Sequence, residues 1–303
     1  MVATVEGEDL MNGGEPMGCL VDRIAAALVC PSCRVPLDAS YKCAACGTGG
    51  HRTGNQLRFV GFGDAELRDD PLNRIKETVK RRFGPAYPLV IQLLSPVLLR
   101  RFVRPFLMSF DLDRDLVADL GSGTNRYDPR LLCVDGGAYA NVDIVGDLRT
   151  LPIDDGSLAG IVSIAVLEHV PDPQAHVREM WRVLRPGGRV LCYVPFMQPF
   201  HASPYDYQRY TEAGMKTLFS RFDVMHVRIG AGPTSAMLWM FQEWLALLLS
   251  FGSRRLYRVL APLMWLLSPI KFLDVLLARH PNATVAASGF VIEARKPVEA
   301  RPE

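Results

Sequence analysis

The run Leu116-Val-Ala-Asp-Leu-Gly-Ser-Gly-Thr124 constrains this chain more tightly than any other stretch. An apolar segment passes directly into a turn with two glycines, the pattern of a strand that delivers its backbone to a ligand. Gly121 and Gly123 allow close approach where any Cβ would clash. A third glycine is missing, so the dinucleotide fingerprint is incomplete. Asp119 changes the expected ligand, because a carboxylate just before the turn repels a pyrophosphate and welcomes a cation. From Leu116 to Gly230 short apolar runs alternate with turns and helical stretches, the rhythm of an α/β domain with a mostly parallel sheet.

S-adenosylmethionine is a cationic ligand of this kind, and the run DLGSG resembles motif I of the class I S-adenosylmethionine-dependent methyltransferases. The chain continues as members of that family do, through VDGGAYANVDIVGDLRTLPIDDGSL, IVSIAVLEHVPDP and EMWRVLRPGGRVLCYVP. The resemblance spans about Leu116 to Phe222. It implies a Rossmann-like α/β fold with a mostly parallel seven-stranded sheet. Residue by residue, it implies that Gly121, Ser122 and Gly123 wrap the methionine moiety above Asp119, that Asp135 holds the ribose hydroxyls, and that Asp147 and Leu148 contact the adenine. Asp143 is a rival for the ribose, since it too follows an apolar residue about 20 positions after the loop. Two departures stand out. Ala159 occupies a position where the family usually has Asp, and the short stretch between Gly123 and Asp135 predicts a truncated first helix. After LEHV, Asp172 as N-cap with Pro173 at the first helical position starts a helix. Val177, Met180, Trp181 and Leu184 place its apolar face on the sheet, and Pro186-Gly-Gly188 follows its end. His169 reads as a structural hydrogen-bonding residue rather than a base.

Four of the seven cysteines cluster as LVCPSCRVPLDASYKCAACGTGG. Two CxxC pairs, Cys30/Cys33 and Cys43/Cys46, bring two knuckles around one ion, and four thiolates close a tetrahedral structural Zn2+ site with no open position. So small a segment needs such a staple. It resembles the zinc ribbon found alone as a methyltransferase activator or fused ahead of bacterial methyltransferases, which implies docking rather than chemistry. Cys19, Cys133 and Cys192 are scattered, and the acidic N-terminus does not read as a secretory signal. A cytoplasmic setting follows, with peripheral attachment to the inner face of the membrane as an extension argued below.

Ligands of open α/β sheets sit at the carboxyl ends of the strands. There the strand RVLCYVP runs into FMQPFHASPYDYQRYT, which resembles a bacterial methyltransferase subgroup linked to cell-surface glycan or lipid metabolism. Methyl transfer is an in-line displacement at a sulfonium, so positioning dominates. His201 is the candidate base for a hydroxyl acceptor, and Asp206 the residue that orients it or meets a sugar hydroxyl. Arg209 is suited to an anionic group; the competing reading pairs it with Asp206 to pin the loop.

Between the strand Phe222–Gly230 and a last strand at Ser288–Ala294, 30 of the 45 residues from 236 to 280 are apolar, including three of the four tryptophans. Charges and Pro262 and Pro269 interrupt them, so no stretch reaches the ~18 uninterrupted apolar residues of a spanning helix. The last two strands of this fold join on the active-site side, which predicts that the insertion stands over the acceptor pocket. Short apolar helices with Trp and basic flanks suit a membrane interface; a helical cap or dimer interface is the equal alternative. Tyr87–Phe110 is a second apolar, basic stretch. A mean hydropathy of +0.11 fits this distribution. With 34 Lys+Arg against 32 Asp+Glu, the net charge of +2 excludes binding driven by phosphate neutralisation and makes nucleic acid a poor partner. The expected organisation is a disordered leader (1–18), a zinc ribbon (19–62), a helical linker or cap (63–115), the S-adenosylmethionine-binding core (116–235), an apolar helical insertion (236–280), and the last strand with a tail (281–303). The expected activity is methyl transfer to a hydroxyl of a small-molecule, glycan or lipid-linked acceptor. The alternatives are methylation of rRNA or tRNA and a non-catalytic scaffold.

Overall fold

The computed structural model describes residues 2–3, 20–59, 87–202 and 205–298. The proposed leader, apart from Val2–Ala3, and residues 63–86 of the proposed 63–115 linker therefore lie outside the described residues. In chain order the elements begin with β1 (Val2–Ala3), α1 (Leu20–Arg23), β2 (Gly50–Thr53) and β3 (Gln56–Phe59). Next come α2 (Tyr87–Leu94), β4 (Val97–Leu98), α3 (Val103–Leu107), β5 (Val117–Leu120), β6 (Leu132–Asp135), β7 (Ile144–Val145) and β8 (Leu158–Ile164). The chain closes with α4 (Pro173–Val183), β9 (Leu184–Pro195), α5 (Glu212–Leu218), β10 (Asp223–Ala231), α6 (Pro233–Leu249), α7 (Arg254–Met264), α8 (Asp274–Leu277) and β11 (Gly289–Arg295).

The main sheet runs β10-β11-β9-β8-β5-β6-β7-β3-β2. Its seven central strands, from β10 to β7, have the order and sense of the class I methyltransferase core, with β11 antiparallel to both β9 and β10. The sheet has nine strands rather than the expected seven. The two extra strands are the hairpin that follows the cysteine knuckles: β3 pairs in parallel with β7, Leu57 opposite Ile144, and β2 pairs antiparallel with β3. Leu57 is fully buried, so the ribbon shares the hydrophobic core of the domain instead of standing apart.

One sheet face packs on α1, α4, α5 and the 283–287 turn. The other is covered by residues 97–112 and by Trp239 of α6. Helix α4 forms as its punctuation dictates: the Asp172 side chain accepts the Ala175 N–H at 2.9 Å, and Val177, Met180 and Val183 are buried. The helix ends at Val183, before the Pro186 turn, because Leu184 already has extended backbone and starts β9. No helix forms between Gly123 and Asp135. Arg126 does part of that helix's work, its guanidinium donating to the Leu131 and Asn141 carbonyls and to Asp143.

The insertion leaves from the carboxyl end of β10, the same end at which β5 and β8 deliver their loops. The Asp274 carboxylate caps α6 by accepting from the Thr234 and Ser235 N–H groups and the Ser235 hydroxyl, at 2.6–2.9 Å. Lys271 is buried, and its ammonium donates to the Gln92 and Ser95 carbonyls, which fastens the insertion to α2. The remaining surface of the insertion is greasy. Trp244 is 55% exposed and Phe251 88%, alongside Met237, Leu247, Leu248, Leu263, Leu266 and Leu276. Residues Arg254–Leu277 form one helical stretch of 24 residues, within which an 18-residue window has a mean hydropathy of 1.7 and is 17% buried inside the protein. Length and composition alone qualify it to cross a bilayer.

Candidate active site

Strand β5 ends at Leu120 and the chain turns through Gly121 (φ +82°) and Gly123 (φ +55°), both in the left-handed region that glycine tolerates. Gly121 has a second constraint. A Cβ there would sit 2.9 Å from Val166 Cγ1 and closer still to Cγ2, so the loop after β8 packs directly on the glycine turn. Beyond Gly123 nothing lies within 4 Å of where a Cβ would be. The turn is held open by Asp135, at the tip of β6. Its carboxylate accepts the Gly123 N–H at 2.8 Å and the Gly137 N–H at 2.7 Å. Each oxygen keeps a lone pair. Burial pushes this carboxyl above the ordinary range, partly offset by those N–H groups.

Asp119 lies beneath the turn with one carboxylate oxygen, Oδ2, buried and without a hydrogen-bond partner. Burial, reinforced by the Asp135 charge, pushes it up to about 8. An orphaned acid of this kind is met by a cationic amino group, which S-adenosylmethionine carries. The Ser122 hydroxyl is also buried and unpaired. The rival Asp143 is occupied elsewhere: its Oδ2 accepts from Arg126 Nη2 and the Cys133 N–H, both at 2.8 Å, behind β6. Asp147 is engaged by the Arg149 guanidinium, and the Leu148 carbonyl lies 2.8 Å from His176 Nδ1. Ala159 is a buried residue inside β8, beyond reach of any ligand at the strand ends.

On the acceptor side, β9 runs into the 196–211 loop. Asp206, almost fully buried, accepts from both terminal nitrogens of Arg209 and from the His201 N–H at 2.8 Å. Burial pushes the Asp206 carboxyl up, but these partners outweigh it and hold it below the usual range. The geometry is that of a pinned loop, the competing reading above. The His201 ring is 3.8 Å from Asp206, too far for the carboxylate to orient it by a hydrogen bond. The ring lies instead between Trp239 of α6, at 5.1 Å between centroids, and His169, at 5.5 Å. The insertion thus meets the 196–211 loop through Trp239. Sequence reasoning missed Glu168, whose fully buried carboxylate faces both imidazoles; its signal was an acid placed among the apolar residues of LEHV. His169 does make the structural bond expected of it, to the Tyr205 carbonyl at 2.6 Å.

A cavity of about 270 Å³ is walled by Val97–Val103, Ile164, Tyr193, Gly232, Val275 and Ala278. Arg100, Arg101 and Arg279 stand on its lining and are exposed.

Far from the strand ends, the four cysteine sulfurs lie within 4.8 Å of one another, with Cys33–Cys43 at 3.2 Å and Cys30–Cys46 at 3.5 Å. Those spacings approach the ~3.8 Å edge of a tetrahedral zinc–thiolate site with ~2.3 Å bonds. Each knuckle closes through a left-handed residue after its second cysteine, Arg34 (φ 63°) and Gly47 (φ 73°). The Arg34 side chain then reaches the core, donating to the Leu151 carbonyl and to Glu179 at 2.8 and 2.9 Å.

Comparison with known proteins finds methyltransferases similar to part of this chain. Residues 118–192 match the family described as a methyltransferase domain. A "Probable S-adenosylmethionine-dependent methyltransferase" of Mycolicibacterium smegmatis is 33% identical over 132 residues, covering 39% of this chain and 51% of that protein. The demethylmenaquinone methyltransferase of Roseiflexus castenholzii is 47% identical over 51 residues, covering 17% of this chain and 21% of that protein. The chain thus spans at most about half the length of these relatives. Among solved structures, the geranyl diphosphate C-methyltransferase of Streptomyces coelicolor superposes with a TM-score of 0.40 at 15% identity, covering 78% of this chain and 90% of that one.

Proposed function

We propose that this class I, S-adenosylmethionine-dependent methyltransferase domain serves an enzyme that methylates a hydroxyl of an amphiphilic acceptor, a glycan or a lipid-linked molecule. The observation that carries the reading is the contact of His201 with Trp239, which joins the acceptor loop to an insertion whose outer surface is apolar. S-adenosylmethionine supplies an electrophilic methyl on a sulfonium. Asp119 meets its amino group, the 121–123 turn gives it room, Asp135 receives the ribose hydroxyls, and Asp147 with Leu148 borders the adenine. An acceptor with an apolar portion enters between the 196–211 loop and α6, and the exposed guanidiniums of Arg100, Arg101 and Arg279 favour an anionic group such as a phosphate near the mouth. In this reading Asp206 and Arg209 shape the loop, and the polar group facing the acceptor hydroxyl is His201 with its neighbours.

The insertion rests on the cytoplasmic face of a membrane through Trp244, Phe251 and the leucines beside them, with Arg254, Arg255 and Arg258 directed to anionic headgroups. The four thiolates hold a structural Zn2+ that fixes the ribbon against β7 and Glu179. The deciding experiment incubates the protein with methyl-labelled S-adenosylmethionine and separate lipid, polysaccharide and RNA fractions. Label in a lipid or glycan fraction is expected; label confined to RNA, or no binding of S-adenosylmethionine by calorimetry, overturns the reading.

A further inference from the structure

Glu168 presents an electrostatic problem that the methyl-donor site does not solve. Its side chain is fully buried, and neither carboxylate oxygen has a hydrogen-bond partner. A buried carboxylate without donors is strongly unfavourable unless a cation meets it. Two imidazoles face it: His169 Nε2 and His201 Nε2 each lie 3.8 Å from Oε1. Their protonation pattern follows from the other ring nitrogens. His169 Nδ1 is 2.6 Å from the Tyr205 carbonyl, and His201 Nδ1 is 2.9 Å from the Pro199 carbonyl. A carbonyl only accepts, so each Nδ1 carries the hydrogen and each Nε2 turns a lone pair toward Glu168. Arg209 Nη2, 3.2 Å from His201 Nδ1, has acceptors of its own in the Pro199 carbonyl and Asp206 and does not require that nitrogen as one. Two lone pairs and an unsatisfied carboxylate therefore converge on one point.

We infer that Glu168, His169 and His201 form a binding site for a divalent first-row transition cation. Two imidazoles and one carboxylate are a recurrent ligand set for such ions, and an Nδ1–H donated to a backbone carbonyl is the usual support behind a metal-bound histidine. The three donor groups lie within 4.8 Å of one another. Bonds of ~2.0–2.2 Å require donors about 3.0–3.4 Å apart, so the 3.8 Å separations close with side-chain movements of under about 1 Å. The site lies two residues beyond Val166, which packs on Gly121, and under Trp239. Three protein ligands leave coordination positions open between the methyl-donor turn and the insertion. That an acceptor oxygen fills one of them rests on the proposed function; the cation site does not. With the ion bound, His201 is a ligand and a positioning residue rather than the base.

The test uses the full chain with zinc already filling the four thiolates, one zinc per chain by elemental analysis. Co2+ is then titrated by calorimetry and visible absorption. The expected result is one further Co2+ per chain with no thiolate-to-cobalt charge-transfer band. Glu168→Gln, His169→Ala and His201→Ala should each weaken it at least ~10-fold. On the unaltered Co2+-loaded chain, two paramagnetically shifted, exchangeable imidazole N–H resonances should appear, a readout independent of whether the variants fold. Failure to bind any metal beyond the thiolate site, or a second equivalent that survives all three substitutions, overturns the inference. Binding of S-adenosylmethionine and labelling of a lipid fraction are measured separately, so loss of methyl transfer with the cation still bound refutes the proposed function and leaves this site standing.

Discussion

Gly121 and Gly123 are two residues apart in one turn, yet the structure assigns them different tasks, and alanine at each separates these. At Gly121 an alanine would hold a left-handed conformation, costing roughly 1–2 kcal/mol. It would also drive its Cβ into Val166, a buried, stiff, β-branched side chain whose Cγ1 is 2.9 Å from the Cβ position. Overpacking of this kind costs about 1–3 kcal/mol, for a total of roughly 2–5 kcal/mol. At Gly123 the left-handed cost remains, but no protein atom lies within 4 Å of the new Cβ. Gly123→Ala should therefore cost only about 1–2 kcal/mol. What it obstructs is the open space before the turn, where the proposed function puts the donor. Equilibrium unfolding in urea, with m unchanged, should order the midpoints wild type, Gly123→Ala, then Gly121→Ala. Calorimetry with S-adenosylmethionine should show at least ~10-fold weaker binding for Gly123→Ala despite its near-native stability, equivalent to ~1.4 kcal/mol. Equal unfolding midpoints for the two variants would refute the close approach to Val166. Unchanged affinity in Gly123→Ala would show that the space before this glycine is not the donor's.

The pH dependence of stability follows from Asp119. Its folded-state pKa, pushed up to about 8 by burial and then by Asp135, exceeds the ordinary value of 3.8, so between those limits the folded chain holds the proton that the unfolded chain releases. Its contribution to stability is present below about pH 4 and is lost as pH rises to about 8, at up to ~1.4 kcal/mol per pH unit. Urea midpoints of wild type should fall across that window relative to Asp119→Asn, and parallel curves would contradict the assignment. Arg209→Ala leaves the nearly buried Asp206 with only the His201 N–H and should destabilise by about 3–5 kcal/mol in the same assay; a change under ~1 kcal/mol would mean that the pair does not pin the loop. Cys43→Ser should reduce bound zinc from one equivalent to none and lower the melting temperature, since the ribbon shares the sheet through Leu57. Co-flotation with anionic vesicles should fall at least ~10-fold in a Trp244→Ser, Phe251→Ser double variant, each aromatic being worth ~1.5–3 kcal/mol of burial. Equal flotation of variant and wild type would remove the insertion from the membrane.

What the sequence made legible is what short-range chemistry dictates. The 121–123 turn, the Asp172 cap and the two cysteine knuckles are each written within a few residues, because positive φ, an unpaired helix N–H or a thiolate pair admits few residue types. The site on the acceptor side was legible only in composition. His201, Asp206 and Arg209 stand out in the 196–211 loop, but which of them pair is decided by where the loop lands. The Asp206 carboxylate turned to Arg209, and His201 turned to a glutamate 33 positions earlier in the chain. The only local mark of Glu168 is its place among the apolar residues of LEHV, and the same four letters on a surface would present a solvated carboxylate. The two extra strands escaped for a similar reason. GHRT and QLRF are four residues each, more than half of them polar, and become strands because Leu57 finds Ile144 about ninety residues away. At the edge of a parallel sheet, a partner with free backbone donors and acceptors decides whether such a segment is a strand. The greasy insertion lies between these cases. Its apolar content is read directly from the chain, while its place over the acceptor loop follows from one topological fact, the antiparallel β10–β11 pair that returns at the carboxyl end of the sheet. That fact brings Trp239 onto His201, and it makes the apolar surface part of the active-site argument rather than an unexplained excess of hydrophobicity.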